Sequence, residues 1–540
     1  MISLIVSAIL SSALYVFSFA PWSHFHPALS MLQWIAFVPV LFVLDSKPRT
    51  FREILIAGFG VALGITIGGF YWIIYATQQY GGLPYIAALG VFAAFCLIAQ
   101  LQIPLYFLLR NHALKKMDAR WWIPISGLIY AGIESAYPKL FLDTAGHAFA
   151  DSLMISQLAD IGGVFLITAL VLTVAESLVY SIRKDRKWIA LPMVLVALGF
   201  GYGKMRVNQL ENALAAQSGL PIFRVGIVQA NIGDYLKIAA EQGSSNASDR
   251  VISQYLDYSK KAIDATIQQT GSAPDALVWP ETAYSTLFGK PQRMDEQRME
   301  ERLRAFANEF PGTMIFGGYD QDAQSLDYNS VFFLTREDSK NFSAPPVYHK
   351  NVLLMFGETL PFAETFPSMK KWFPTMGFFG RGPGPEVHTV RNREGHPFKL
   401  APSICYEGLF PAFSAKGASL GADALLNVTN DSWFGPDGEP YLHFALTRFR
   451  SIETRLPMIR STNTGFSAII DPLGRIQGKT ELFATAVLPA TLHPRLPLRS
   501  PFLAISEKLF DDWFVRVAQV TTFLLMLILY RRGKHSTQSN

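Results

Sequence analysis

At 540 residues the chain is too long for one ordinary domain. Half of it is hydrophobic and 16% is charged, against about 25% charged in a typical soluble domain, a balance that points to the membrane. A net charge of +5 and a pI near 8.9 would suit a nucleic-acid binder, but the basic residues are placed for another purpose.

Residues 1–205 are a succession of apolar runs. About 20 apolar residues in a helix cross the ~30 Å hydrocarbon core. The runs predict seven spans, Ser3–Phe19, Pro27–Leu44, Ile54–Ala76, Tyr85–Leu109, Trp122–Ala136, Gly162–Ile182 and Trp188–Tyr202. An eighth, Trp513–Tyr530, lies in the closing segment 511–531. The second and fifth are short or interrupted by proline. The first is an uncleaved helix, because Met1-Ile2-Ser3-Leu4 has no basic n-region and no clear small-x-small cleavage site follows.

Basic residues fill every second connection: Lys47, Arg49 and Arg52; Arg110, Lys115, Lys116 and Arg120; Arg183, Lys184, Arg186 and Lys187; and Arg531, Arg532 and Lys534. The alternate loops 20–27, 77–84 and 137–161 hold Lys139 and no other Lys or Arg. Under the positive-inside rule this predicts cytoplasmic termini and an external segment between the last two spans. It also accounts for the basic pI without nucleic acid. Two acids, Glu134 and Glu176, lie within spans. Helix-to-helix hydrogen bonding explains such residues better than a polar lining of a lipid cavity. Loop 137–161 carries Lys139, Asp143, His147 and Asp151. It could gate lipid entry, but nothing in its spacing demands that, and no site residue is assigned there.

From about residue 221 to 489 the pattern changes to short β-rich runs alternating with helical stretches. Predicted strands are Phe223–Val228, Ala276–Trp279, Thr313–Phe316, Leu400–Ile404, Ala424–Val428 and Phe466–Ile470. Predicted helices are Val251–Gln269 and Pro291–Phe310. The pattern is that of an α/β domain. It has no internal repeat, no zinc-type spacing and no Gly-rich phosphate loop, and the ten His are scattered, so neither a metal nor a nucleotide cofactor is expected.

Leu400–Gly408 reads as a buried strand ending at Cys405. The only other cysteine, Cys96, lies in an apolar run, so neither a disulfide nor a thiolate metal site suggests itself. Cys405 alone fits an inert buried thiol as well as a nucleophile. Three further stretches bear on the choice: Trp279-Pro280-Glu281-Thr282, an acid just past a strand; Tyr348-His349-Lys350, followed by Gly357-Glu358; and the polar, aromatic Asn427–Gly435. Singly these are a cap, a surface charge and a turn. Together they hold the parts of a cysteine acyl-transfer site. A carboxylate takes the thiol proton, an ammonium lowers the thiol pKa and meets the oxyanion, and a second carboxylate keeps the ammonium charged.

The order Glu, Lys, Cys, each at a strand end, resembles the nitrilase or carbon–nitrogen hydrolase superfamily. Within it, YHKNVLLMFGE (348–358), SICYE (403–407) and NDSWFG (430–435) resemble the apolipoprotein N-acyltransferases. So does the plan of seven spans, an external domain and one closing span. Met355 is a departure, in a segment where the family often has Pro before Phe-Gly-Glu. The resemblance implies a multi-pass helical membrane domain (1–205), an extracytoplasmic nitrilase-like α-β-β-α sandwich (221–489) and a C-terminal helix (511–531). It implies Glu281 as general base, Lys350 as oxyanion stabiliser and Cys405 as nucleophile. Glu358 supports the lysine, Tyr406 and Glu407 follow the nucleophile, with the Tyr406 N–H as an oxyanion donor, and Trp433 and Phe434 flank the acyl site. The implied reaction is ping-pong. An acyl chain passes from phospholipid to the Cys405 thiol, then to the α-amine of an S-diacylglyceryl-cysteine apolipoprotein, at the inner membrane, without cofactor or metal. Two rivals remain, a membrane-tethered amidase or nitrilase with water as acceptor, and a non-catalytic lipid-binding scaffold. The preceding spans argue against the first, and the complete Glu281, Lys350 and Cys405 set against the second.

Overall fold

The computed structural model describes residues 1–216, 219–233, 243–360, 378–493, 500–508 and 512–538, with the single positions 236, 239, 240, 365, 366 and 368. They form two compact units, one of Met1–Glu211, Asp437–Glu453 and Arg499–Asn540, the other of Asn212–Pro436 and Thr454–Leu498.

In the first unit, six helical stretches among the described residues are long and apolar enough to cross a membrane: Pro27–Leu44, Phe51–Phe70, Tyr85–Leu114, Ala159–Arg183, Arg186–Ala215 and Trp513–Arg531. Helix Ile2–Ser18 is apolar but shorter, and helix Ala119–Ala136 carries Pro124 and the buried Glu134. Local chemistry sets where the runs break. The second begins as a 3₁₀ segment, Pro27–Ile35, before helix Val38–Leu44. The third stops at Phe70 and resumes at Ile73. The helix Ala159–Arg183 bends where Gly162 and Gly163 leave helical geometry, Gly163 at φ +64°, a conformation that glycine adopts without steric cost. Thr50 and Glu53 cap the helix Phe51–Phe70 reciprocally. Small residues let helices approach. A side chain at Gly127 would meet the Ala169 carbonyl, and one at Gly132 the Ala518 carbonyl.

The two intraspan acids are tied to neighbouring helices or loops. Glu176 accepts from Tyr106 (2.8 Å), Arg110 Nε (2.6 Å) and Trp122 (3.2 Å), and Arg110 also holds Asp45 (2.7 Å). Glu134 pairs with Lys139 at 3.1 Å. In loop 137–161, Lys139 also donates to the Asp143 carbonyl (2.6 Å), and Asp151 pairs with Arg448.

The second unit is a two-sheet sandwich. Its strands in chain order are β1 (Phe223–Gln229), β2 (Ala276–Val278), β3 (Thr313–Gln321), β4 (Asp327–Leu334), β5 (Val347–His349) and β6 (His388–Arg391). There follow β7 (Pro397–Ile404), β8 (Ala424–Thr429), β9 (Met458–Thr462), β10 (Ala468–Ile470), β11 (Ile476–Lys479) and β12 (Ala486–Leu492). One sheet runs β12-β1-β2-β3-β4-β5 and the other β11-β10-β9-β8-β7-β6. Each has a parallel centre, β1-β2-β3 and β7-β8-β9, with antiparallel neighbours outside it. Contacts of β1 with β9 and of β4 with β7 bring the sheets face to face. Helices Ser245–Thr270 and Met294–Glu309 cover the first sheet through a core that includes Val251, Tyr255, Trp279, Leu303 and Phe316. Ser244 caps the longer helix at its start, and Gly271 ends it at φ +74°. On the other side, helix Pro411–Ser419 packs on β7 and β8. The parallel centres point β2, β7 and β8 the same way within their sheets, so the residues that follow them emerge at strand ends, where α/β folds place their sites.

Candidate active site

Glu281 follows β2 by three residues, Lys350 directly follows β5, and Cys405 directly follows β7. The turn after β2 lies against Gly317, where an added side chain would sit 2.6 Å from the Glu281 Cα. Only glycine permits that approach. The Lys350 N–H donates to the Asn329 carbonyl (2.8 Å), which extends the β4–β5 pairing by one step and fixes where the lysine leaves the sheet. Cys405 opens the 3₁₀ turn Cys405–Leu409 with φ +50°. A non-glycine residue in that region is strained, and such strain clusters at functional sites.

These turns bring the ionisable groups together. Lys350 Nζ lies 3.2 Å from Glu281 Oε1 and 2.7 Å from Glu358 Oε1. Asn329 Nδ2 donates to the same two oxygens, at 2.7 and 3.1 Å. Glu281 Oε2 accepts from the Asn430 N–H (3.0 Å), and Glu358 Oε2 from the Leu354 N–H (2.8 Å). Lys350 is 1% exposed, Glu281 6% and Cys405 9%, so this is a dry, strongly coupled site.

Burial pushes the Lys350 ammonium down, but Glu281 and Glu358 outweigh burial and hold its pKa above the ordinary lysine value. It is charged at any physiological pH. The Cys405 thiol is pushed well above its ordinary value, first by burial and then by the Glu281 charge, with Asp431 adding to them; the pull of Lys350 in the other direction is smaller. The sequence led to the expectation that the ammonium would lower this thiol. In the structure that effect is present but loses to desolvation and to the carboxylates. The thiol therefore rests protonated, and any attack by it would require a base.

Glu407 has a different place. Its Oε1 accepts from the Asn351 (2.5 Å) and Val352 (2.9 Å) N–H groups, and its Oε2 from the Ile404 N–H (2.7 Å) and the Tyr348 hydroxyl (2.7 Å). It thus ties the segment just after Lys350 to the residue just before Cys405, joining the two sheets. Burial raises its carboxyl to about 7 against the pull of these donors. The Tyr406 ring lies edge-on to Phe410 (5.1 Å), and burial raises its hydroxyl to about 12. Trp433 and Phe434 belong to the 3₁₀ turn Asp431–Phe434, where Trp433 is 38% exposed. That turn begins at the site, through the Asn430 bond to Glu281 and the Asp431 charge facing Cys405. Asp431 is itself held by the fully buried Arg460 at 3.1 Å. Asn329 was not singled out from sequence, and Asn430 and Asp431, within the stretch Asn427–Gly435, were given no role there. The one available signal for Asn329 was a polar amide inside an otherwise β-rich run.

The carbon–nitrogen hydrolase family model matches residues 224–496, and the apolipoprotein N-acyltransferase N-terminal domain model matches residues 11–176. The apolipoprotein N-acyltransferase of Geobacter metallireducens is 30% identical over 500 residues, covering 89% of this chain and 88% of its own; that of Bdellovibrio bacteriovorus is 31% identical over 502 residues, covering 88% and 85%. The chain belongs to the apolipoprotein N-acyltransferase family. It is a membrane protein and an acyltransferase, with apolar helices at both ends and a nitrilase-like unit between them. A mutant amidase of Nesterenkonia AN1 from the nitrilase superfamily aligns over 50% of this chain and 90% of its own, at 14% identity and a TM-score of 0.36.

Proposed function

We propose that this enzyme moves a fatty acyl chain from a phospholipid to the α-amine of an S-diacylglyceryl-cysteine apolipoprotein through a thioester on Cys405. The observation that carries this reading is the convergence of Glu281 and Glu358 on Lys350, in electrostatic reach of Cys405, in a chain whose described residues include six membrane-length apolar helices. Glu281 takes the thiol proton as sulfur attacks the ester carbonyl. Lys350 and the Tyr406 N–H receive the oxyanion. The C–O bond breaks, Glu281 returns the proton to the lysophospholipid alkoxide, and the thioester remains. The lipoprotein amine then attacks that carbonyl, Glu281 accepts its proton, and the C–S bond breaks to release the thiol. Glu358 keeps Lys350 charged and aimed, and Trp433 and Phe434 flank the acyl chain. No metal or cofactor enters, because the thioester itself carries the activation.

In the same reading the segments 1–205, 221–489 and 511–531 are an inner-membrane anchor, a periplasmic catalytic domain and a closing helix, with both termini cytoplasmic. The alternation of basic loops supports this arrangement. The test of function is to incubate purified protein with labelled phospholipid and a diacylated lipopeptide. A triacylated product, and an acyl adduct on Cys405 that disappears as product forms, are expected. Cys405→Ala should give neither. A chasing adduct in Cys405→Ala, or release of free fatty acid with the lipopeptide unchanged, overturns the reading.

A further inference from the structure

Asn329 makes a pattern of contacts that structural packing alone does not explain. It sits on β4 next to Lys350 and is 3% exposed. Its two Nδ2 bonds reach Glu281 Oε1 and Glu358 Oε1 at 2.7 and 3.1 Å, the same two oxygens that Lys350 Nζ reaches at 3.2 and 2.7 Å. Two donors and two acceptors close a ring. The amide cannot turn over, because Oδ1 would then face two carboxylates. In the orientation it keeps, Oδ1 is buried with no hydrogen-bond partner among the described residues. An unsatisfied buried carbonyl costs stability, so the contacts made by Nδ2 outweigh that cost.

What those contacts supply follows from counting charge. Two buried carboxylates share one ammonium. With Lys350 as the only donor between them, one carboxyl is driven to hold a proton at rest, as closely paired acids do. A second cation would prevent that, but would also make the carboxylates weaker bases. A neutral amide that donates to both stabilises the second negative charge without adding a positive one. We propose that Asn329 is a positioning residue that keeps Glu281 ionised and ready to accept the Cys405 proton, by dividing its two N–H bonds between the paired acids. The inference rests on Glu281 being the base. Among the described contacts, Lys350, the Asn430 N–H and the Cys405 thiol also face Glu281, with Glu358 across Lys350 and Asp431 beyond the thiol.

The test is the pH dependence of single-turnover acylation of Cys405 by labelled phospholipid in vesicles, using the full chain. The rate falls on the acid side as the base takes up a proton. In Asn329→Ala that acid limb should move up by about one pH unit, which is about a tenfold loss at any pH below the wild-type limb, with a much smaller loss on the alkaline side. Asn329→Ser keeps one hydroxyl donor and should restore part of the shift. A loss uniform in pH with the limb unmoved, or no loss at all, overturns the proposal. If Asn329→Ala does not fold, the limb in Asn329→Ser decides, since even one missing bond must move it. Glu281→Gln separates the two levels. Wild-type acylation in that variant removes the base and this inference with it. An inactive Glu281→Gln beside an unmoved limb in the Asn329 variants removes the inference alone.

Discussion

Replacing Lys350 with methionine removes the ammonium and leaves a side chain of similar length. In the native site Glu281, Glu358 and Lys350 sum to one negative charge, with Lys350 1% exposed and 3.2 and 2.7 Å from its partners. In Lys350→Met the sum is two, in a place with little water to screen it. Breaking a buried ion pair from one side costs about 3–5 kcal/mol. At about 2–4 °C per kcal/mol for a unit of this size, the unfolding temperature should drop by about 10 °C. The cost depends on pH in a definite direction. Without the ammonium, burial and mutual repulsion raise the carboxyl pKa in the folded state above its unfolded value. The loss is therefore small below the ordinary carboxyl range, where one acid is protonated, and grows as pH rises through the raised value. Adding Glu358→Gln returns the net charge to minus one and should recover most of the lost stability without restoring activity. The measurement is thermal unfolding in detergent from pH 5 to 8, followed by intrinsic fluorescence. A deficit that is flat across that range and unrelieved by Glu358→Gln would falsify the charge argument and leave Lys350 a packing residue.

Glu407→Gln replaces one accepting oxygen with an NH2 donor among the backbone N–H groups of Asn351, Val352 and Ile404, so at least one of them loses its bond, at about 1–3 kcal/mol. Because the bond network spans the two sheets, acylation should slow by about 10² as Lys350 and Cys405 lose alignment; unchanged single-turnover acylation would show that the tie does not set the site. For topology, a reporter active only outside the cytoplasm should work when fused after Gly203 and stay silent after Lys187, and the reverse pattern would move the catalytic unit to the cytoplasmic side.

Much of the candidate site was legible because its ionisable groups lie at strand ends. Glu281, Lys350 and Cys405 each lie just past a strand end, and the resemblance carried by the segments around them singled them out before any geometry was known. The elements that escaped have misleading side chains. Strand β9 contains Arg460, Ser461 and Thr462, all fully buried; Arg460 is neutralised by Asp431 and bonded to Asn427, partners that periodicity does not reveal. Strand β12 carries Pro489, which is tolerated because, among the described residues, the strand pairs only with β1 and lies at the edge of its sheet. The helix Glu439–Thr454 carries Arg448, Arg450 and Glu453, charges that give no sign of an interior position, yet all three are buried, with Arg450 bonded to Glu453 and Arg448 to Asp151. The thiol was misjudged for a related reason. Sequence shows that an ammonium and carboxylates are present, but the balance between them depends on burial and distance.

That balance has a consequence for the chemistry. Burial first, and then the Glu281 charge, hold the Cys405 thiol well above its ordinary value, and a free-standing thiolate there would raise the site from one net negative charge to two. If Glu281 takes the proton as the sulfur attacks, no charge is added. The negative charge moves from the Glu281 carboxylate through sulfur to the carbonyl oxygen, and the total stays at one throughout. Lys350, kept charged by the same two acids, then needs only to follow a charge that shifts within its reach, without desolvating a new one. In a site this buried, preorganisation of that kind is where electrostatic stabilisation of a transition state is largest. In the proposed reaction the same arrangement would keep the thiol unreactive until an ester carbonyl is in place, so that the nucleophile would be generated by the substrate's arrival and not stored as a thiolate.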